Sequence, residues 1–305
     1  MSDLNYVALL FSSMITMIIL MGSLLNTFEK CLPMLLVQTM RYGKFACKEE
    51  PVLKFFEVPK SWFKHFYVYS SLLTLVTFTY LVFVYILKVE VPIVFYDALD
   101  AVGGSLRQAR ISNTTAFLAV TLLTIQCCRR FYDTHYVSVF GRNSTMNFGH
   151  YLIGYVHYTG SILAILTETS KFVRYNSIDS DLHWSHLNYV DAIATILFLW
   201  AWTHQYKTAV ILANLRKDKK GNVVTEAHKL PQGDWFNYVS SPHGLAEILM
   251  YLALTIILWG SITWIFIFAW VLCNQVETAL LSHWWYKDTF PSIPKNRKAI
   301  IPFVY

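Results

Sequence analysis

Apolar stretches of about twenty residues recur along almost the whole chain, and they restrict its fold more than any motif does. A helix rises 1.5 Å per residue, so about 20 apolar residues cross the hydrocarbon core of a bilayer. With no water there for unpaired backbone groups, only helices or closed barrels can span it. Stretches of this kind run over residues 4–27, 66–88, 111–128, 147–168, 187–213, 242–260 and 262–282. They predict an all-α fold, a polytopic integral membrane bundle of about seven transmembrane helices. Charged residues make up 14% of the chain, against about 25% in a soluble domain, and mean hydropathy is +0.40. No repeat, low-complexity segment or soluble insert interrupts the series, so residues 1–305 read as one membrane domain. The first stretch is too long, and lacks the basic flank, for a cleaved secretory signal.

Lys and Arg set the orientation. The loops after the first, third and fifth stretches and the tail after the seventh hold most of them, leaving Lys88, Arg107, Arg110, Lys171 and Arg174 on the other side. This predicts an outside N-terminus and a cytosolic C-terminus. It also accounts for the net charge of +6 without a nucleic-acid partner. Five cysteines show no ligand spacing, so no metal is expected and the thiols read as free. Two glycosylation sequons begin at Asn113 and Asn143. Asn143 falls on the cytosolic side, and Asn113 lies close to the membrane on the other.

Chemistry is expected at the cytosolic face. The stretch 204–247 is dense in polar and aromatic residues, and the aromatic, proline-rich segment 280–305 reads as packing back on the body. No GxGxxG or GxxxxGK[ST] occurs, so neither a Rossmann domain nor a P-loop is indicated. A nucleotide would instead be held by side chains, with Arg216, Lys217, Lys229, Lys295, Arg297 and Lys298 available for phosphates. The same charges also suit a purely topological role at an anionic surface. Polar residues inside the stretches weigh more, because each is costly in hydrocarbon: His150, His157, Glu247, Asn274, Gln275 and Glu277. A structural ion pair is the plain alternative for Glu247, and a helix–helix hydrogen bond for His157. His283 and Tyr286, at i and i+3, can each donate a hydrogen bond or pass a proton. An interfacial aromatic belt with Trp284 and Trp285 is their plain alternative.

The runs KLPQGDWFNYVSSPHGLAE (229–247), HWWY (283–286) and PKNRKAIIPFVY (294–305) resemble the C-terminal core of the steroid 5-alpha-reductase family, which covers about 187–305 here. The segments RYGK (41–44), FEVPKSWFKHFYVYS (56–70), RRFYDTHYVSVF (129–140) and HQYKTAVILANLRK (204–217) are similar to its polyprenol (polyprenal) reductase branch. The resemblance implies a multi-pass endoplasmic-reticulum enzyme that uses NADPH. By motif, it implies a nucleotide cradle of His228, Lys229, Tyr238, His243, Glu247, Tyr286 and Arg297, joined by Arg216 and Lys295 from the charge pattern. His283 matches a family histidine. Glu57, in Glu-Val-Pro, resembles a substrate-contacting glutamate of the steroid enzymes. Lys229 stands where an arginine is usual, Pro242-His243 where Ala-Asn occurs, and HQYK replaces an Asn-x-His-Ser-Asp pattern. These departures turn the expectation away from a steroid.

The implied activity is NADPH-dependent reduction of the α-isoprene double bond of a polyprenoid, polyprenal to dolichal or polyprenol to dolichol, supplying dolichol for protein N-glycosylation. Hydride addition to a conjugated carbonyl loads charge onto oxygen, so a donor must face that oxygen. This favours the aldehyde, because an allylic alcohol has no carbonyl to take the charge. Tyr286 or His283 is the expected donor, with Glu57 a further candidate. Rival readings are a 3-oxo-steroid 5-alpha-reductase, a trans-2-enoyl-CoA reductase and a lipid-binding membrane scaffold.

Overall fold

The computed structural model of the chain describes residues 3–40, 56–174 and 181–303. Its helices are α1 (Tyr6–Phe28), α2 (Met34–Met40), α3 (Phe63–Tyr85), α4 (Ile93–Gly103), α5 (Asn113–Tyr132), α6 (Phe148–Glu168), α7 (Tyr189–Asn214), α8 (Pro242–Ile257) and α9 (Ile262–Thr289). Each of the seven expected stretches coincides with one of these. The short helices α2 and α4 were not anticipated, and the 41–44 motif lies outside the described residues. Among the described residues, three segments are long and apolar enough to cross a bilayer by composition alone: Tyr6–Cys31, Lys60–Tyr85 and Ile262–Thr289. α8 is apolar but has only 16 residues. α5 and α7 carry polar side chains, described below, that lower their hydropathy.

Local chemistry starts these helices where they begin. Asn5, Ser112, Asn147, Asn188 and Ser261 each accept a hydrogen bond from a first-turn amide of the helix that follows, satisfying donors that have no partner inside the helix. Asn188 and Asp191 complete a capping box. Gly260, at φ +96°, turns the chain from α8 into α9 in a conformation that side chains disfavour.

The long helices alternate in direction, which gathers the two kinds of chain end at opposite faces. At the sparsely charged end, the buried Glu168 carboxylate accepts from Thr263 Oγ1 (2.6 Å) and Thr263 N (3.2 Å). Asn5 Nδ2 donates to the same Thr263 hydroxyl at 2.7 Å, so α1, α6 and α9 are pinned together. Asn113, 2% exposed, accepts from Tyr85 OH and from Lys171 N. A glycan has no room there. At the basic end, β1 (Glu57–Pro59) pairs antiparallel with β2 (Thr145–Asn147), Val58 facing Met146. This joins the start of α3 to the start of α6.

A continuous apolar core runs between these ends, from Phe11 and Leu81 through Ile165 and Phe198 to Met250 and Trp264. Glycine allows a close helix approach within it. A Cβ built on Gly160 would lie 2.3 Å from Phe11 Cε2, so α1 meets α6 there with ring against backbone. Gly160→Ala is expected to cost about 1–3 kcal/mol through overpacking. Thermal unfolding in detergent checks this, and a double-mutant cycle with Phe11→Leu should return a coupling energy well above zero.

Candidate active site

The basic end opens into a cavity of about 990 Å³ bounded by α1, α3, α6, α7, α8 and α9, at the upper limit of ordinary ligand pockets. Its wall is graded. Lys60, Arg216, His228 and Lys229 line it near the surface, Gln205, Glu247 and Gln275 in the middle, and Ile18, Ile153, His157 and Trp270 deep between the helices. Arg216 is oriented by its Nη1, which donates to Val139 O at 2.8 Å. Lys60 enters from the residue after β1, its own amide bonded to Ser144 O at 2.8 Å.

Glu247 lies little more than a turn into α8 and is held from two sides. The Gln205 amide of α7 donates to its Oε2, and the Gln126 amide of α5 does so at 3.3 Å. Arg129 continues the chain of contacts, donating from Nη2 to Gln126 Oε1 (2.9 Å) and to Gln205 Oε1, and from Nη1 to Trp202 O. Its guanidinium lies over the Trp202 ring at 4.9 Å. Asp133 sits 3.5 Å from Arg129 and 3.3 Å from Arg130, and Arg130 donates to Tyr67 OH at 3.0 Å. Two cations and two carboxylates thus balance in one buried cluster spanning α3, α5, α7 and α8, which is what makes its burial tolerable. Gln205→Leu removes a partner from both Glu247 and Arg129. A loss of about 1–3 kcal/mol for each orphaned group is expected, read as a lowered unfolding temperature.

The C-terminal tail closes the other flank. Lys298 N donates to Tyr238 O (2.9 Å), Ser240 N to Lys298 O (2.9 Å) and Ser241 N to Ala299 O (3.2 Å), so the tail packs on the segment before α8 as expected. This seats Arg297, 2% exposed, with Nη2 donating to Pro231 O at 3.1 Å. Burial lowers its pKa, and the neighbouring Tyr286 acts in the opposite sense. Its Nε and Nη1 are buried and have no hydrogen-bond partner among the described residues. Arg297 lies outside the cavity wall, but Lys60, Arg216 and Lys229 line it, and cations of this kind fit anionic oxygen acceptors, so the site is compatible with a phosphate-bearing nucleotide.

The structure brings most of the expected residues together. Arg216, His228, Lys229, His243, Glu247 and Tyr286 all border the cavity. His283 is buried one layer behind the wall, its Nδ1 2.8 Å from Ser240 Oγ. Tyr238 is exposed, 5.9 Å from the Phe303 ring, and Lys295 is exposed on the tail. Glu57 lies on β1, half-buried and outside the cavity wall. Lys60, Gln126, Arg129 and Gln205 escaped the sequence reading. Gln126 and Arg129 at i and i+3 near the end of α5, the first inside the apolar stretch and the second just past it, were the available signal.

Comparison with known proteins settles the kinship. The profile of the 3-oxo-5-alpha-steroid 4-dehydrogenase family matches residues 144–305. A protein of Drosophila melanogaster named polyprenal reductase is 42% identical over 99% of this chain and 94% of its own length. The chain belongs to the steroid 5-alpha-reductase family. Proteins named polyprenal reductase from Caenorhabditis elegans, 36% identical over 86% of this chain and 85% of its own length, and from Homo sapiens, 34% identical over 87% of this chain and 85% of its own length, extend the likeness. The profile covers β2, α6–α9 and the tail. The full-length relatives add β1, α3 and α5, with Lys60 just after β1 and Gln126 and Arg129 on α5.

Proposed function

We propose that this chain is a reductase that saturates the α-isoprene double bond of polyprenal to give dolichal, with NADPH as reductant. The observation that carries the reading is the graded cavity, cationic at its mouth and apolar between the helices, which suits a phosphate-bearing nucleotide meeting a long hydrocarbon. The seven long helices all cross the endoplasmic-reticulum membrane, with the basic end and the C-terminus in the cytosol, and the product feeds dolichol supply for N-glycosylation.

In this reading Lys60, Arg216 and Lys229 neutralise phosphate oxygens at the mouth, where arginine adds bidentate geometry, and Arg297, buried outside the cavity wall beside Tyr286, adds positive charge from behind it. His228, Tyr238, His243 and Lys295 surround the same end. Glu247, fixed by its two amides, offers a rigid carboxylate acceptor half-way down. The Tyr286 hydroxyl borders the cavity, and His283 acts behind it by holding Ser240. When bound, the reduced dinucleotide supplies a hydride to the β-carbon of the enal. The protein's task is then to align the two reactants and to hold a donor at the carbonyl oxygen. Glu57, outside the wall, has no direct part in that step.

Purified protein given NADPH and polyprenal should yield a product heavier by two hydrogens with the aldehyde retained. Recovery of the allylic alcohol instead would overturn the reading, as would preference for an enone steroid or an enoyl-CoA in competition. Arg216→Ala is expected to weaken NADPH binding by about 10-fold or more, as for loss of charge-assisted hydrogen bonds, measured by titration of the purified protein. His283→Ala should lower turnover by about 10²-fold while the protein still inserts and binds NADPH.

A further inference from the structure

The deep part of the cavity holds a polar pair that the nucleotide-binding residues do not need. His157 of α6 borders the cavity among Ile18, Ile153 and Trp270. Its Nε2 lies 2.6 Å from the hydroxyl of Tyr251 on α8. Tyr251 is 1% exposed and lies four residues beyond Glu247, about 6 Å further along the helix. Its ring stacks on Trp264 at 5.8 Å and 5°, and Trp264 Nε1 is bonded to Thr255 Oγ1 at 3.1 Å. The His157 ring is itself wedged edge-on against Phe11 (6.4 Å) and Tyr158 (5.0 Å). The pair is therefore rigid.

A hydrogen bond between two helices would be reason enough for such a pair, were it not for the second ring nitrogen. His157 Nδ1 has no partner among the described residues. A neutral imidazole carries one proton; with the Tyr251 hydroxyl donating to Nε2, that proton lies on Nδ1. Nδ1 is buried as well as unpaired, and an unpaired polar group in an apolar interior costs about 1–3 kcal/mol, which a purely structural contact could avoid with another side chain. The ring itself borders the cavity, where an N–H suits an oxygen on which negative charge develops, and a neutral histidine can serve in that role.

We infer that His157 is the catalytic hydrogen-bond donor to the aldehyde oxygen, and that Tyr251 is a positioning residue that fixes its tautomer. The assignment rests on the polyprenal reading above. Hydride adds to the β-carbon and forms a C–H bond there, and the alkene π pair shifts so that an enolate forms with its charge on oxygen. His157 Nδ1–H holds that oxygen without giving up its proton. A proton from water then forms the α-carbon C–H bond and the carbonyl is restored. One hydride and one proton are added in all, and the dinucleotide is oxidised. The isoprenoid tail would extend from this point along the apolar wall.

The test uses full-length protein in detergent, assayed with NADPH and a short-chain polyprenal after the wild type has been shown to make dolichal. A wild type that makes none defeats the polyprenal reading itself, before any variant is compared. Against an active wild type, His157→Phe should lose about 10²–10³-fold in kcat, the usual effect of removing one such donor. NADPH affinity should stay within about two-fold, since no phosphate contact is touched. His157→Asn, whose side-chain amide nitrogen can sit near the Nδ1 position, should recover at least about ten-fold of that loss. Tyr251→Phe should lower kcat with little change in KM, the signature of a transition-state interaction. Turnover by His157→Phe within about three-fold of wild type would reduce the pair to a helix–helix contact. If His157→Phe fails to insert, Tyr251→Phe decides alone, and near-normal turnover by it overturns the assignment.

Discussion

A carboxylate inside a helical bundle needs partners, and Glu247 has them on α5 and α7. The amides of Gln126 and Gln205 grip one oxygen, Arg129 grips the amides, and Asp133 balances the two arginines. In hydrocarbon each of these groups alone would be expensive, and together they form one connected cluster. That cluster fixes α5, α7 and α8 in register about the middle of the cavity. The gradient from cationic mouth to apolar interior depends on it, because Glu247 marks the level at which the wall changes character.

Much of the architecture was legible as hydropathy. The seven apolar stretches fell on the seven long helices to within a few residues at most ends, because membrane-facing helices leave little choice of residue. α9 runs seven residues past its expected end, since the amphipathic segment through His283 and Tyr286 continues the helix beyond the apolar stretch. α4 stayed invisible: it is short, and Asp97 and Asp100 break its apolar pattern to pair with Arg107 and Arg174. The β1–β2 pair joins three-residue strands nearly ninety positions apart, which no local signal announces.

The site was readable in its parts and not in its depth. Basic residues at 216 and 229 marked the mouth, yet nothing in the order of residues separates Arg297, buried outside the cavity wall, from Lys295, two positions earlier and exposed. Lys60 read as a topology charge because the fold of β1 back onto the cavity comes from tertiary pairing. His157 read as a helix–helix contact, and that contact exists. The unpaired second nitrogen is visible only once the neighbours are in place.

The knot of Asn5, Glu168 and Thr263 ties three helices at the face remote from the cavity. At the cavity end the ties run instead through the β1–β2 pair and the C-terminal tail. The two rims are thus fastened by different means, side chains buried between helices on one and backbone pairing of loops on the other, and the cations stand beside the backbone-paired rim.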